Sequence, residues 1–181
     1  AAIATGSILV FFDDDDIPAP RYLEEITKAF ECSSYDIIST FCQAFEANEQ
    51  DHKEYLHVSM AIGGSVYPNL YCNFFGKGCF GVRSSAFRLI GGFTHDETIL
   101  PFVDYRFYLK AAINDLEIGI LPRALYGYRT SSSNSLFKES SKVEKLFKVK
   151  SQIADIVTSG GGEYLKDLSC YFIMNTSLPH L

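Results

Sequence analysis

Residues Ile8 to Phe12 read ILVFF, an unbroken apolar run, and the next four residues are all aspartate, Asp13 to Asp16. A short continuous run of strand formers fits a β-strand buried on both faces, as in a parallel or mixed sheet covered by helices. Pro18 and Pro20 follow at once and prevent the strand from continuing. The carboxylates therefore stand at the C-terminal end of a buried strand, where open α/β sheets place their ligands. Adjacent carboxylates about 6 Å apart repel by roughly 3 kcal/mol per pair at an effective dielectric near 20. Hydration lowers that cost and a bound divalent cation reverses its sign. Extended backbone alternates its side chains, which predicts Asp13 and Asp15 on one side and Asp14 and Asp16 on the other. Two hard oxygen donors on one side suit Mg²⁺ or Mn²⁺, which take few protein carboxylates and complete their shell with phosphates or water. A solvated acidic loop is the other reading of the same run.

The chain has 181 residues, 47% of them hydrophobic and 21% charged, enough for one domain or the greater part of one. Its net charge of −6, without a basic stripe, argues against nucleic acid as a partner. No apolar run is long enough to span a bilayer. The N-terminus lacks a basic region followed by a long apolar stretch, so no signal peptide is expected. The cysteines, Cys32, Cys42, Cys72, Cys79 and Cys170, are odd in number and form no CxxC pair. Reduced, mostly buried thiols follow, with a cytoplasmic setting that includes the inner face of a membrane.

Helical spacing of Tyr22, Leu23, Ile26 and Phe30 predicts a helix over residues 21–30. Residues 35–45 read as a strand and the polar stretch 46–57 as a surface loop. Residues 63–81 hold Gly63, Gly64, Gly76, Gly78 and Gly81 among aromatics and read as irregular. A short strand is expected at 79–82. A helix over 85–90 follows, capped by Ser84 and stopped by Gly91 and Gly92. A helix at 102–113 carries Asp104 in its first turns. Further expectations are a strand at 117–121 ended by Pro122, extended chain at 125–129, and helices at 137–157 and 163–174. The sum is an α/β or mixed class.

Four blocks in order resemble glycosyltransferase family 2, with the GT-A fold. They are Ala4 to Pro18 with its DXD pattern, Cys79 to Phe93 ending in Gly91-Gly92-Phe93, Phe102 to Ala112 with an acid opening a helix, and Leu121 to Arg129 with Pro122 and Tyr128-Arg129. They cover roughly residues 4–135. The resemblance implies a partial GT-A, Rossmann-like mixed sheet over residues 1–135, with a helical extension over 136–181 packed on it. It lacks the nucleotide-reading strands that precede the DXD strand in that family. The chain then reads as the C-terminal part of such a domain, weak in nucleotide-sugar binding by itself. Its exposed sheet edge would invite a homo-oligomer.

By that resemblance Asp13 and Asp15 match the DXD positions that hold Mg²⁺ or Mn²⁺ against the diphosphate of a nucleotide sugar. Asp15 is the direct metal ligand, while Asp13 contacts ribose or a metal-bound water. Asp104 matches the general base that deprotonates an acceptor hydroxyl, on a carbohydrate or another acceptor, for a single inverting displacement. Arg129 is placed near the diphosphate and Gly76 to Gly81 near the donor sugar. The implied activity is inverting, metal-dependent sugar transfer of the hexosyltransferase type, as in polysaccharide biosynthesis. Val103 departs from the pattern, which has Glu there. Two alternatives stand beside it: a non-catalytic glycan- or nucleotide-binding module, and a haloacid dehalogenase-type phosphatase, which also sets DxD after an apolar strand.

Overall fold

Five residues, Phe12 to Asp16, join strand β1 (Ile8–Phe11) to the two-residue strand β2 (Ile17–Pro18), yet these strands lie at opposite ends of one sheet. The computed structural model describes residues 1, 3–47, 52–63, 66–71, 73–93, 102–130 and 151–152. The remaining elements are α1 (Tyr22–Glu31), β3 (Ile37–Ala47), β4 (Lys53–Ser59), α2 (Val66–Tyr71), β5 (Phe80–Arg83), α3 (Ser84–Leu89), α4 (Val103–Ile113) and β6 (Ile118–Arg129). The sheet runs β1-β5-β3-β6-β2, and β4 also pairs with β3. Four strand spacings would separate β1 from β2 by about 19 Å in a flat sheet. The aspartate segment is not fully extended, because the Asp16 N–H donates to the Asp13 carbonyl at 3.3 Å. A curled sheet brings the two ends within its reach.

The curl comes from β3 and β6, which pair in parallel along nearly their whole length. β5 pairs antiparallel with Ile37 to Ser39 only, and β4 takes the same edge of β3 further on, from Cys42 to Ala47. The outer halves of β3 and β6 therefore continue past β5, and there β2 pairs with Tyr126 and Gly127. β1 is antiparallel to β5, so it runs in the same direction as β3 and β6. Their C-terminal ends share one side of the molecule, and the aspartate turn sits there.

β3 is the strand covered on both faces. Ile37 packs with Phe80, Val82, Tyr105, Phe107 and Tyr108 under α4. Its neighbour Ile38 points to the opposite face, with Tyr22, Ile26 and Phe30 of α1. The i, i+4 spacing of those three residues gives α1 its apolar stripe. Its exposed side carries Glu24, paired with Arg21 and Lys28.

Several sequence expectations are corrected here. β1 is largely half-buried rather than fully covered, since among the described residues it pairs with β5 alone. The polar stretch 46–57, read as a loop, instead ends β3 at Ala47 and supplies most of the largely exposed strand β4 (53–59), whose backbone pairing with β3 does not require an apolar face. The segments at 117–121 and 125–129 are one strand: register shifts near Pro122 absorb the proline instead of ending β6. Ser84 opens α3 without capping it and gives its hydroxyl proton to the Gly6 carbonyl. Gly91 and Gly92 end that helix at φ +71° and +64°. The helices expected at 137–157 and 163–174, and so the 136–181 extension, lie outside the described residues apart from the helical pair 151–152.

Candidate functional site

The aspartates make a turn and not a strand, and this changes which side chains meet. Asp13, Asp16 and the Cys79 thiol each place a potential ligand atom within 4.8 Å of the others. Strict alternation, with Asp13 and Asp15 paired and Asp16 turned away, does not hold. Asp16 is buried at 9% exposure, whereas Asp13, Asp14 and Asp15 are exposed. One Asp16 oxygen accepts the main-chain N–H of Arg129 at 3.0 Å. The other accepts the Cys79 thiol at 3.3 Å.

Burial dominates the electrostatics. It pushes the Asp16 carboxyl up to about 6, against the two hydrogen bonds that favour its charged form and with help from Asp13 and Asp15. Desolvation also raises Asp13, and the like charges of Asp15 and Asp14 add to it. The Cys79 thiol is driven far upward, first by burial, and stays protonated. A neutral thiol is a poor ligand for a hard cation, while the carboxylates fit one. With the Asp16 oxygens engaged, the exposed Asp13 carboxylate is the member of this group whose oxygens fit a hard cation such as Mg²⁺ or Mn²⁺.

Asp104 enters from the other side, in the first turn of α4. Oδ1 accepts the Tyr105 main-chain N–H at 2.7 Å. Burial lifts its carboxyl to about 6. The Asp13 charge raises it further, and Lys77 pulls the other way. The fold thus brings Asp104 and the aspartate turn into one electrostatic field, although they are far apart in sequence. Tyr128 completes this group. Burial, followed by the charges of Asp16, Asp104, Asp13 and Asp15, raises its phenol to about 12.

Arg129 lies beside the turn, its Nε donating to the Asp15 carbonyl at 3.1 Å. Its guanidinium stacks over Phe45, 5.1 Å from the ring centre. The side chain expected near a diphosphate therefore also clamps the turn that would hold it. Gly78 lines Asp13: a Cβ there would stand 2.9 Å from Asp13 Oδ2.

Lys77 is the site residue that sequence reading passed over. Its ammonium lies over the Tyr128 ring, 5.1 Å from the centre. A single lysine between two glycines has no periodic signature. The available hint was its place within the glycine-rich stretch just before the β5 block. The loop carrying it is tied to α4 through the Tyr108 hydroxyl, which donates to the Lys77 carbonyl at 3.3 Å. Buried Asn69 secures the preceding turn: its Nδ2 donates to the Gly63 carbonyl at 3.2 Å, its Oδ1 accepts the Phe74 N–H at 2.8 Å, and its carbonyl accepts the Tyr105 hydroxyl.

No protein-family model matches the chain, and no curated protein matches it in sequence. Solved structures do. The chain resembles S. aureus TarS 1–349 in complex with UDP-GlcNAc, with a TM-score of 0.69, 15% identity and coverage of 97% of this chain and 49% of that one. A second structure of S. aureus TarS 1–349 gives 0.64, 15%, 97% and 47%. The chain thus spans about half the length of the solved structures it matches. No helix among the described residues is long and apolar enough to cross a membrane. At this identity the likeness speaks for the fold alone, a mixed α/β, Rossmann-like fold shared with the TarS structures.

Proposed function

We propose that the chain carries the diphosphate- and acceptor-facing part of an inverting glycosyltransferase that takes a nucleotide-sugar donor. The observation that carries this reading is the convergence of Asp104, from the start of α4, with the aspartate turn at the end of β1. Sugar transfer needs a base for a hydroxyl and positive charge for a leaving diphosphate, side by side. TarS, which shares the fold, binds UDP-GlcNAc, and this supports a nucleotide sugar as donor.

Asp13 and Asp15 would hold Mg²⁺ or Mn²⁺. A divalent cation in that position supplies charge neutralisation for the diphosphate. Asp16 does not reach for substrate: its oxygens are taken by Arg129 and Cys79, and it fixes the turn. Asp104, with its carboxyl at about 6, is deprotonated at neutral pH and basic enough to accept a proton. It takes that proton from the acceptor hydroxyl as the oxygen attacks the anomeric carbon. One displacement inverts that centre.

The test is Asp104→Asn, assayed against a panel of uridine and guanosine diphosphate sugars with Mn²⁺. A base requires turnover to fall by about 10²–10⁴-fold while donor binding is kept. Unchanged turnover rejects the role. Val103, in place of an acid beside Asp104, favours a second reading, a binding module without turnover. Donor binding by the parent chain without transfer to any hydroxyl acceptor would select it.

A further inference from the structure

We infer that Lys77 is a second, protein-borne cation of the phosphate subsite, contacting the phosphoryl oxygens of the donor's diphosphate beside the aspartate turn. This rests on the donor-diphosphate reading above and adds a residue to it.

The case begins with how rigidly the lysine is presented. Gly76 adopts φ +130°, and a Cβ there would collide with the Ser39 hydroxyl. A side chain on Gly78 would press on the Asp13 carboxylate, 2.9 Å from Oδ2, and make it shift. Between them the Gly76 carbonyl accepts Asn73 Nδ2 at 2.7 Å, and Asn73 Oδ1 accepts the Phe75 N–H at 3.1 Å. Phe75 is fully buried and stacks on Tyr108, ring centres 5.5 Å apart. The Tyr108 hydroxyl holds the Lys77 carbonyl. Such a loop fixes the origin of the lysine side chain to the same wall that touches Asp13.

The second part is charge. The ammonium rests on the Tyr128 ring, whose phenol feels the charges of Asp16, Asp104, Asp13 and Asp15, and it acts on the Asp104 carboxyl directly. Among the described residues it closes no ion pair within 4 Å, since the ion pairs all lie on α1 or between α1 and Arg123. A half-buried lysine beside carboxylates with no salt bridge of its own keeps its donors for a ligand. A cation–π seat on Tyr128 takes one face of the ammonium and leaves the rest of its donors for a ligand. Phosphoryl oxygens suit it: a compact ammonium meets them as a point charge.

The test uses inorganic pyrophosphate, which engages the phosphate subsite and needs no base- or sugar-reading surface. Calorimetry on the 181-residue chain would measure Mn²⁺ alone and then pyrophosphate with Mn²⁺ present, for the parent, Lys77→Met and Lys77→Arg. Lys77→Met is expected to weaken pyrophosphate by about tenfold or more, while Mn²⁺ alone binds as well or better because a neighbouring positive charge is gone. Lys77→Arg is expected to recover most of the pyrophosphate affinity. A merely structural lysine would weaken both ligands together. Equal pyrophosphate binding by the parent and Lys77→Met, or none by the parent, overturns the assignment. Lysine-dependent pyrophosphate binding without sugar transfer would leave Lys77 in place and count against the proposed reaction alone.

Discussion

The Arg129 main-chain N–H donates to the Asp16 carboxylate at 3.0 Å, a hydrogen bond that closes the aspartate turn onto the end of β6. They stand 113 residues apart in sequence. The bond fixes the turn from below, while the Arg129 side chain fixes it again through the Asp15 carbonyl. The carboxylates are thus held by a scaffold that does not depend on a ligand.

Asp16→Ala should destabilise the chain by about 1–3 kcal/mol, because it leaves the Arg129 N–H and the Cys79 thiol without their acceptor in a buried place. Asp16→Asn keeps one acceptor oxygen and should lose less. Urea unfolding measures both. A fully stable alanine variant would show that the turn is held by something else.

The glycines flanking Lys77 should respond differently to alanine. Gly76→Ala forces a side chain into positive φ and against Ser39, with an expected loss of about 1–3 kcal/mol. Gly78→Ala pushes chiefly on Asp13 Oδ2. It should weaken Mn²⁺ binding while changing the urea midpoint less. Paired unfolding and Mn²⁺ titrations separate the two effects.

The pH dependence has a defined sign. Asp16 and Asp104 both rise from an ordinary value of 3.8 to about 6 in the folded chain, so the fold binds their protons more tightly than the unfolded chain does. Their stabilising contribution is complete below about pH 4 and is lost as the pH climbs through about 6. Asp104→Asn should flatten that decline and raise stability at pH 7, by on the order of 1–3 kcal/mol. Turnover should move in the opposite direction, increasing through pH 6 as Asp104 becomes the carboxylate a base requires. Unfolding curves at pH 4 and 7, beside a pH–rate profile, check both signs.

Arg83 should prove structural. Its guanidinium donates to the carbonyls of Phe30, Ser33 and Tyr35 at 2.9–3.0 Å and so closes the C-terminal end of α1. Arg83→Met should reduce stability by about 1–3 kcal/mol, with Lys a poor substitute because it lacks the planar fork. Metal and pyrophosphate binding should survive in the folded variant.

The legible parts of this chain were those with a period. α1 announced itself through Tyr22, Ile26 and Phe30, α4 through its apolar positions, and β1 and β3 through their apolar runs. β4 was hidden because Lys53, Glu54 and His57 show no buried face: that strand is held by backbone pairing, and little of it is covered. Candidate chemistry was legible at Asp13 and Asp104 as residue types. Their proximity followed only from the family resemblance and from no pattern in the residues, since it arises from sheet curl and helix placement. Asp16 was unreadable as an anchor because its partners are distant in sequence: Cys79 just precedes β5 and Arg129 ends β6. Lys77 lay in a segment where glycine geometry, and no pattern of hydrophobicity, sets the structure.

The shared edge of β3 has a consequence for how such a chain can diversify. β4 and β5 occupy successive stretches of that edge, so everything between them, residues 60–79, is an excursion that leaves one strand and returns to it. Its length and content can change without altering the register of β3 with β6. The Arg129 contacts to the acidic turn lie outside that excursion, whereas Lys77, its flanking glycines and the Cys79 thiol that meets Asp16 belong to it. A lineage that keeps buried Asn69, Phe75 and Cys79 could therefore rewrite the rest of one insert, Lys77 included, while the β3–β6 frame stays unchanged.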